Sequence, residues 1–447
     1  MKRLATGVLI AALLGAMSGA RAQNARIISF KDAVRIALEQ NIEVRQAQNA
    51  AALGKVDVSE ARGQFLPDLR FSTTGAKNYG RTFDQTEGTI VDQTTKSASL
   101  GVNTSVTVFD GFGNIANLRG AKLSDQAGEQ ELVRARETVA FSVASQFLAL
   151  IQRQEQLRVQ RENLSAASAL ERQIQQYVDA GARTIADLYQ QQADVASARF
   201  NVVDAERTTE LAKVDLIETL QLDPTATYEF EAPADTTAQA ASQKFDLSSL
   251  QSRATAQRID LKAEQARVAA ADQSVKVARS NRWPTVSLNG GYSSAYSSAS
   301  PFSFSDQIDQ RRGGSVSLGV SVPIYDRGVV SNQTRRAEIQ ADNERLILES
   351  LQQGVALQVR RSHLDFQAAQ EQLVNAQAQV RSAELALSAS QDRYEAGAST
   401  LVELTQARAT QVQAASALVT ARYNLLFQRT LMDYYVGDLN PQQLAGN

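Results

Sequence analysis

Two acidic residues at equivalent points of the chain are the first candidates for chemistry. Asp187 and Glu403 lie 216 residues apart, and carboxylates arranged in a ring favour cations. Arg183 precedes Asp187 by four residues, a spacing at which opposite charges pair on a helix, whereas its counterpart Ser399 is uncharged. An acidic residue in the first turn of a helix is also stabilised by the helix dipole. The sequence leaves both interpretations of the two carboxylates open.

The residue types on which many enzymes depend are scarce. The chain has 447 residues, a single histidine, His363, and no cysteine, which excludes thiol nucleophiles, thiolate metal sites and disulfides. The sequence contains no zinc-protease, serine-hydrolase or phosphate-loop motif. With 46 basic and 48 acidic residues, it offers no basic surface for nucleic acid. We therefore predict a protein that is not an enzyme, has no cofactor or metal, and does not bind nucleic acid.

The N-terminus has the pattern of a secretory signal peptide at 1–22. Lys2 and Arg3 precede an apolar stretch at 4–17, and Ala20-Arg21-Ala22 provides an A-x-A cleavage pattern. The alternative, a membrane anchor, requires a longer apolar stretch. We expect cleavage after Ala22 and export of the mature chain from the cytoplasm.

The remainder of the chain contains an internal duplication. The segment 108–111 resembles 324–327, and 179–185 resembles 395–401, both at an offset of 216 residues. Landmarks that keep register over this distance predict two structural repeats, each running helix, strand, loop, strand, very long helix, tight turn and helix. The predicted segments are a first repeat at 23–226, a linker at 227–244, a second repeat at 245–441 and a C-terminal tail at 442–447.

Two very long helices dominate the predicted structure. They are expected at 112–179 and 328–395, followed by helices at 184–222 and 400–436, since no proline interrupts these stretches. At 1.5 Å per residue, each long helix would extend roughly 100 Å. Apolar residues recur every seven positions in the second repeat, as in a left-handed supercoil. A soluble antiparallel coiled coil and the wall of a water-filled tube would explain this pattern equally well.

Four strands are predicted at about 68–79, 98–109, 285–296 and 315–325. Apolar residues alternate in them with small polar residues, as in the wall of an outer-membrane barrel; soluble hairpins on a helical body are the alternative. The two intervening segments, 81–96 and 297–314, are predicted to be polar surface loops. Since unpaired edges are not tolerated in lipid, four strands would need partner chains, and three chains would supply 3 × 4 = 12 strands.

This layout resembles the TolC family of outer-membrane efflux proteins over essentially the whole mature chain. The shared features are the duplication, Pro67 and Pro284 entering strands, the segment 322–326 leaving one, and the tip segments 178–181 and 394–397. The resemblance implies a fold that is mainly α-helical with a membrane β-barrel part: an antiparallel coiled-coil tunnel below a trimeric 12-stranded barrel.

The function that this resemblance implies is passive export. The chain would be the outer-membrane exit duct of a tripartite efflux or type I secretion system, extending into the periplasm. Its implied partners are two further copies of itself, a periplasmic adaptor protein, an inner-membrane pump or secretion ATPase, and outer-membrane lipid. The alternative is a periplasmic coiled-coil scaffold or adaptor without a barrel.

The candidate functional residues lie mainly at the two helical tips. Polar and charged links close the periplasmic aperture in TolC-like proteins, which implies this role for the group Arg183, Asp187, Tyr394 and Glu403. By the same resemblance, Gly181 and Gly397 would contact the adaptor, although ordinary helix capping explains both glycines as well. Trp283, the only tryptophan, precedes a predicted strand and is a candidate anchor at the membrane interface; a buried packing role is the alternative.

Overall fold

The computed structural model describes residues 26–84, 88–92, 94–232 and 236–446. The predicted signal peptide at 1–22 and Pro233 of the predicted linker lie outside these residues. The described chain forms two compact units. The strand-bearing unit comprises Gln46–Arg134 and Arg258–Val355, and the tip-bearing unit comprises the residues up to Arg45, Ala135–Gln257 and Ala356–Asn447.

Helices account for most of the described residues. In chain order they are α1 (Phe30–Gln40), α2 (Ile42–Gly63), α3 (Gly113–Asp179), α4 (Ile185–Thr219), α5 (Thr237–Ser242), α6 (Leu247–Gln257), α7 (Ile259–Ser280), α8 (Phe304–Gln310), α9 (Val329–Glu395), α10 (Leu401–Val436) and α11 (Pro441–Ala445). The two long helices, α3 and α9, have 67 residues each. Both begin one residue later than the sequence predicts and end at the predicted residue. Among the described helices, none has the length together with the apolar composition needed to cross a membrane.

The strands are short except in one sheet. They are β1 (Arg26–Ile28), β2 (Arg70–Asn78), β3 (Arg81–Asp84), β4 (Thr89–Asp92), β5 (Thr95–Phe109), β6 (Tyr228–Phe230), β7 (Thr285–Ser297) and β8 (Gly313–Ser321). Four of them form an antiparallel sheet in the order β2-β5-β7-β8 within the strand-bearing unit. Two strands of this sheet come from each predicted repeat.

The pairing register separates apolar from polar side chains on the four-stranded sheet. Directly paired residues project to the same face, so that Phe71, Val102 and Tyr292 lie together. Val106, Leu288 and Leu318 form another row on that face. The opposite face carries small polar residues and glycines: Ser72, Gly101, Asn103, Ser105, Thr107, Ser287, Asn289, Gly291, Ser293, Ser315, Ser317 and Gly319. The alternation in the sequence therefore becomes a sheet with one apolar and one polar face.

The junction between the sheet and each long helix is built twice in the same way. Asp110 accepts a hydrogen bond at its carboxylate from the backbone N–H of Asn114 (2.6 Å), and Asp326 accepts one from Val330 (2.7 Å). Two consecutive residues with positive φ follow each aspartate, at 111–112 and at 327–328. The side-chain oxygen satisfies a free N–H group at the start of the helix, as an N-cap does. The duplicated aspartates therefore set where α3 and α9 begin.

The last predicted strand, 315–325, ends earlier in the structure. Strand β8 stops at Ser321, and Ile324 lies outside it with 97% of its surface exposed. Pro323 explains the difference, because proline lacks the N–H group that a continuing ladder requires. The apolar alternation extends past this proline, so the pattern overestimated the length of the strand.

Several predicted loops contain regular structure. The segment 81–96 contains the hairpin β3–β4, and 297–314 contains α8. The predicted linker 227–244 contains α5 and also β6, which pairs in parallel with β1. The predicted tail at 442–447 falls largely within α11. These elements are too short for periodicity to distinguish them from polar loops.

The first helix of each repeat is two helices. Asn41 separates α1 from α2 with an extended backbone, and its side-chain oxygen accepts from the N–H of Glu43 at 2.9 Å. Arg258 separates α6 from α7 at the equivalent point, 217 residues later, with ψ of 121°. An asparagine that bonds to a neighbouring backbone group competes with the helix ladder. The break after α1 has this local cause, and the break after α6 repeats its position.

Candidate functional site at the helical tips

The turn between α3 and α4 ends the long helix with a glycine in the left-handed conformation. Gly181 has φ of 73°. Its N–H donates to the carbonyl of Val178 at 2.9 Å, and the N–H of Ala182 donates to the carbonyl of Tyr177 at 2.8 Å. This pair of bonds is the Schellman motif, which satisfies carbonyls at the end of a helix. A side chain at Gly181 would meet no atom within 4 Å, so the backbone conformation, and not crowding, accounts for the glycine.

The turn between α9 and α10 repeats this geometry. Gly397 has φ of 71°, and its N–H donates to the carbonyl of Tyr394 at 3.1 Å. The N–H of Ala398 donates to the carbonyl of Arg393 at 2.8 Å. A side chain at Gly397 would also meet no atom within 4 Å. Helix capping therefore accounts for both glycines locally, while the open space beside them leaves both tips accessible.

The two candidate carboxylates have different partners. Asp187 forms a capping box with Thr184: its backbone N–H donates to Thr184 Oγ1 at 3.3 Å, and its carboxylate accepts from the Thr184 backbone N–H at 3.3 Å. Glu403 likewise donates its N–H to the Oγ1 atom of Thr400, at 3.3 Å, but its carboxylate faces Arg393 at 3.4 Å. Both acids thus lie in the first turn of a helix, where a negative charge is favoured.

Arg183 does not form the predicted pair with Asp187. Its guanidinium instead donates to the backbone carbonyl of Tyr394 at 3.1 Å. The guanidinium carbon lies 4.4 Å from the centre of the Tyr394 ring, in the geometry of a cation–π contact. Since Arg183 precedes the cap residue Thr184, it is not part of α4, and the helical i, i+4 spacing does not apply to it. The side chain links the first tip to the second.

Tyr394 is the centre of the packing between the two hairpins. It is only 2% exposed and lies in an apolar cluster with Leu170, Ile174, Leu188, Leu401 and Leu404. Within the described part of the chain, its hydroxyl oxygen is buried without a hydrogen-bond partner. Burial raises the pKa of Tyr394 above its ordinary value, the nearby Arg183 opposes this shift, and Asp187 adds to it. Two of the other candidate gate residues, Arg183 and Asp187, therefore lie near enough to Tyr394 to affect its pKa.

Arg408 is a charged residue near the tips that the sequence did not single out. It lies on α10, where it lines a groove of 490 Å³ with α3 and α9 and a second of 480 Å³ with α3 and α4. Its Nη1 atom is buried without a partner among the described residues, and this burial lowers the pKa of the guanidinium. The equivalent residue of the first repeat is the uncharged Gln192. This difference in charge between the repeats was the one sequence signal that distinguished Arg408. The sequence pattern could not show that the Arg408 side chain lies between packed helices.

Trp283 lies in the other unit, between α7 and β7. It is 60% exposed, although the base of its side chain packs closely on the turn before α3: a side chain at Gly111 would come within 2.7 Å of the Trp283 Cβ atom. The indole is therefore presented at the surface beside the beginning of a strand. No group of three metal-ligating residues occurs in the described ranges, and His363 is a largely buried residue of α9.

Comparison with known proteins decides the family. A family profile described as "Outer membrane efflux protein" matches residues 33–220 and 250–433, which is more than half of the chain, with one match in each repeat. This chain belongs to the outer membrane efflux protein family. The TolC-family resemblance and the duplicated, mainly helical fold predicted from the sequence are thereby confirmed.

Individual relatives can be aligned with most of this chain. The pyoverdine export outer membrane protein OpmQ of Pseudomonas aeruginosa is 26% identical over 388 residues, which are 85% of this chain and 77% of that protein. The outer membrane efflux protein BepC of Brucella suis is 22% identical over 440 residues, covering 97% and 87%. The crystal structure of the outer membrane protein VceC of Vibrio cholerae shares the fold, with a TM-score of 0.78, 17% identity, and coverage of 91% and 96%.

Proposed function

We propose that this efflux-family protein is the outer-membrane exit duct of a tripartite efflux or type I secretion system. It would conduct substrates passively and without catalysis, while a periplasmic adaptor and an inner-membrane pump or ATPase supply the energy. The family match in both repeats carries this proposal. The four-stranded sheet with one apolar face supports it, since such a face suits contact with lipid.

The free edges of the sheet support assembly from several copies. Strands β2 and β8 are its outer strands and pair with no further strand in the described ranges. Because the strands alternate in direction, β8 of one copy would run antiparallel to β2 of the next. Such a head-to-tail contact can close into a ring, and closure removes the edges that lipid does not tolerate. Three copies of the four-stranded sheet would give 12 strands, an even number within the known range.

An exposed apolar stripe on α4 supports the same assembly. Tyr189, Phe200, Val203, Leu211 and Val214 are all more than half exposed. Their successive separations are 11, 3, 8 and 3 residues, and 11 residues make about three helical turns. The five side chains therefore share one helix face. A helix that exposes such a stripe in an aqueous compartment is typical of a subunit contact, and we propose a second copy as the partner.

The tips are proposed as the gate and the adaptor contact. The contact between Arg183 and Tyr394 would hold the two hairpins of one protomer together and keep the aperture narrow. Asp187 and Glu403 would contribute carboxylates around it, in addition to their local contacts. Gly181 and Gly397 would be contacted by the adaptor, because each leaves open space beside a rigid turn. Trp283 would anchor the protein at the periplasmic interface of the membrane, where exposed tryptophan is favoured.

Reconstitution into planar lipid bilayers tests the proposed function. The purified full chain should insert and give discrete, long-lived conductance steps of one size. Protein that neither inserts nor conducts, and is recovered from the periplasm without detergent, would favour the scaffold alternative instead.

A further inference from the structure

A further cavity in the tip-bearing unit lies well away from the tips. It has a volume of 340 Å³ and is enclosed by α1, α3, α10 and the chain after α10. We name it the C-terminal pocket and define it by Phe30, Phe147, Ile151, Leu426, Leu439 and Leu444, which form its apolar wall. Along α3, Ile151 is 26 residues from Tyr177 at the tip, or about 39 Å at 1.5 Å per residue. The pocket is therefore separate from the candidate gate.

Aromatic contacts and backbone hydrogen bonds support the apolar wall. The rings of Phe30 and Phe147 meet edge to face at 5.4 Å, and Phe147 meets Phe230 in the same way at 6.0 Å. At the other end, the carbonyl of Asp433 accepts hydrogen bonds from the N–H groups of Gly437 and Leu439. These contacts fix the turn after α10 that carries Leu439. A preformed apolar cavity of a few hundred cubic ångströms with a few polar groups is the usual form of a small-molecule site.

The polar groups of the C-terminal pocket are arranged asymmetrically. Arg422 is already engaged, since its Nε atom donates to Thr237 Oγ1 at 3.1 Å. Arg429 also lines the pocket but forms no hydrogen bond or ion pair with any described residue. Asp433 lies one turn later on α10, and burial raises the pKa of its carboxyl despite the nearby Arg429 and Arg253. Asp433 and Arg429 form no ion pair among the described residues, so the pocket retains a guanidinium that an anion could pair with.

We propose that the C-terminal pocket binds a medium-chain monocarboxylate. The hydrocarbon chain would lie among Phe147, Ile151 and Leu426, and the carboxylate would pair with Arg429, a geometry to which the planar guanidinium is suited. A volume of 340 Å³ lies at the lower end of the range for small-molecule sites, which suits a short amphiphile such as octanoate. A cationic amphiphile would be repelled by the two arginines, and a neutral one would leave Arg429 without a counter-ion.

Photo-crosslinking tests this proposal on the full chain purified in a non-ionic detergent. The probe is an octanoate-length acid that carries a diazirine in its chain, and the matched probe is its primary amide. The acid should label peptides from 144–151 and 422–433 in a saturable manner, and excess octanoate should compete with it. The amide should label these peptides at least fivefold less, because it cannot form the ion pair.

Variants at one position separate specific binding from partition into the micelle. Arg429→Gln should reduce labelling of the pocket peptides about tenfold, and Arg429→Lys should restore most of it. Arg408→Gln, which removes an arginine from the same helix outside the pocket, should leave labelling unchanged. Equal labelling by acid and amide, labelling spread over the whole chain, or no loss in Arg429→Gln would each overturn the proposal. Native mass and helical circular dichroism confirm that each variant is folded.

Discussion

Replacing Arg183 with glutamine should loosen the contact between the two tips. The substitution removes the guanidinium that lies 4.4 Å from the Tyr394 ring and donates to its carbonyl at 3.1 Å. A partly exposed cation–π contact contributes about 1 kcal/mol, and a charged hydrogen bond at such a site contributes about as much after allowance for solvent. The sum of about 2 kcal/mol corresponds to a shift of about 30-fold in the equilibrium between closed and open tips.

Single-channel recording measures this shift directly. In planar bilayers, Arg183→Gln should spend a much larger fraction of time in high-conductance states than the unmodified protein does. Arg393→Gln is the matched control, because Arg393 lies at the second tip, next to Tyr394, and its side chain has an exposed contact with Glu403 at 3.4 Å. Such a surface pair contributes about 0–1 kcal/mol, so the control should change the open fraction by less than about fivefold.

Two results would refute the proposed role of the contact between Arg183 and Tyr394. An open fraction in Arg183→Gln that equals that of the unmodified protein would show that the contact does not hold the tips together. An effect of Arg393→Gln as large as that of Arg183→Gln would show that net tip charge, and not the contact with Tyr394, controls the conductance.

Three other tests, each with its own substitution or pair of substitutions, address separate parts of the structure. Val316→Lys places a charge on the apolar face of β8 and should reduce outer-membrane assembly by several-fold in a cell-fractionation assay, since a lysine facing lipid costs about 2–4 kcal/mol near the bilayer midplane; Ser315→Lys, on the polar face, should assemble normally. Tyr394→Phe should change thermal stability by less than about 1 kcal/mol, because the buried hydroxyl has no described partner. The pKa of Tyr394 is raised in the folded protein. The stability that this shift contributes is present below the unfolded pKa of about 10 and is lost as pH rises through the higher folded pKa. Tyr394→Phe should therefore also lessen alkaline destabilisation of the tips, measured as melting temperatures in a pH series. Replacing both Asp187 and Glu403 with alanine should lower cation preference in reversal-potential measurements, and unchanged selectivity would remove these carboxylates from the conduction path.

The long elements could be predicted from the sequence because local and periodic signals agree in them. The aspartates at 110 and 326 and the glycines at 181 and 397 mark the beginnings and ends of α3 and α9 without any knowledge of tertiary contacts. The duplication then doubles each signal. The apolar alternation in β5 and β7 likewise survives as a real face of the sheet. In β8, by contrast, the strand ends before Pro323 although the apolar alternation continues past it.

The contacts at the candidate site could not be predicted in the same way. Arg183 stands one residue before the helix cap, so its partner is determined by the packing of the second hairpin and not by spacing along α4. The carboxylate of Asp187 accepts the hydrogen bond from Thr184 in the capping box instead. Arg408 looks like an ordinary surface residue in the sequence, because helical periodicity does not tell which helices lie on either side of α10. Tertiary packing supplies this information.

The measurement that most directly tests the account is the native mass of the full chain extracted in detergent from isolated outer membranes. The open edges β2 and β8 and the apolar stripe on α4 predict a complex of three copies that withstands extraction. A single copy recovered without detergent from the periplasm would contradict the shared barrel and, with it, the exit-duct function.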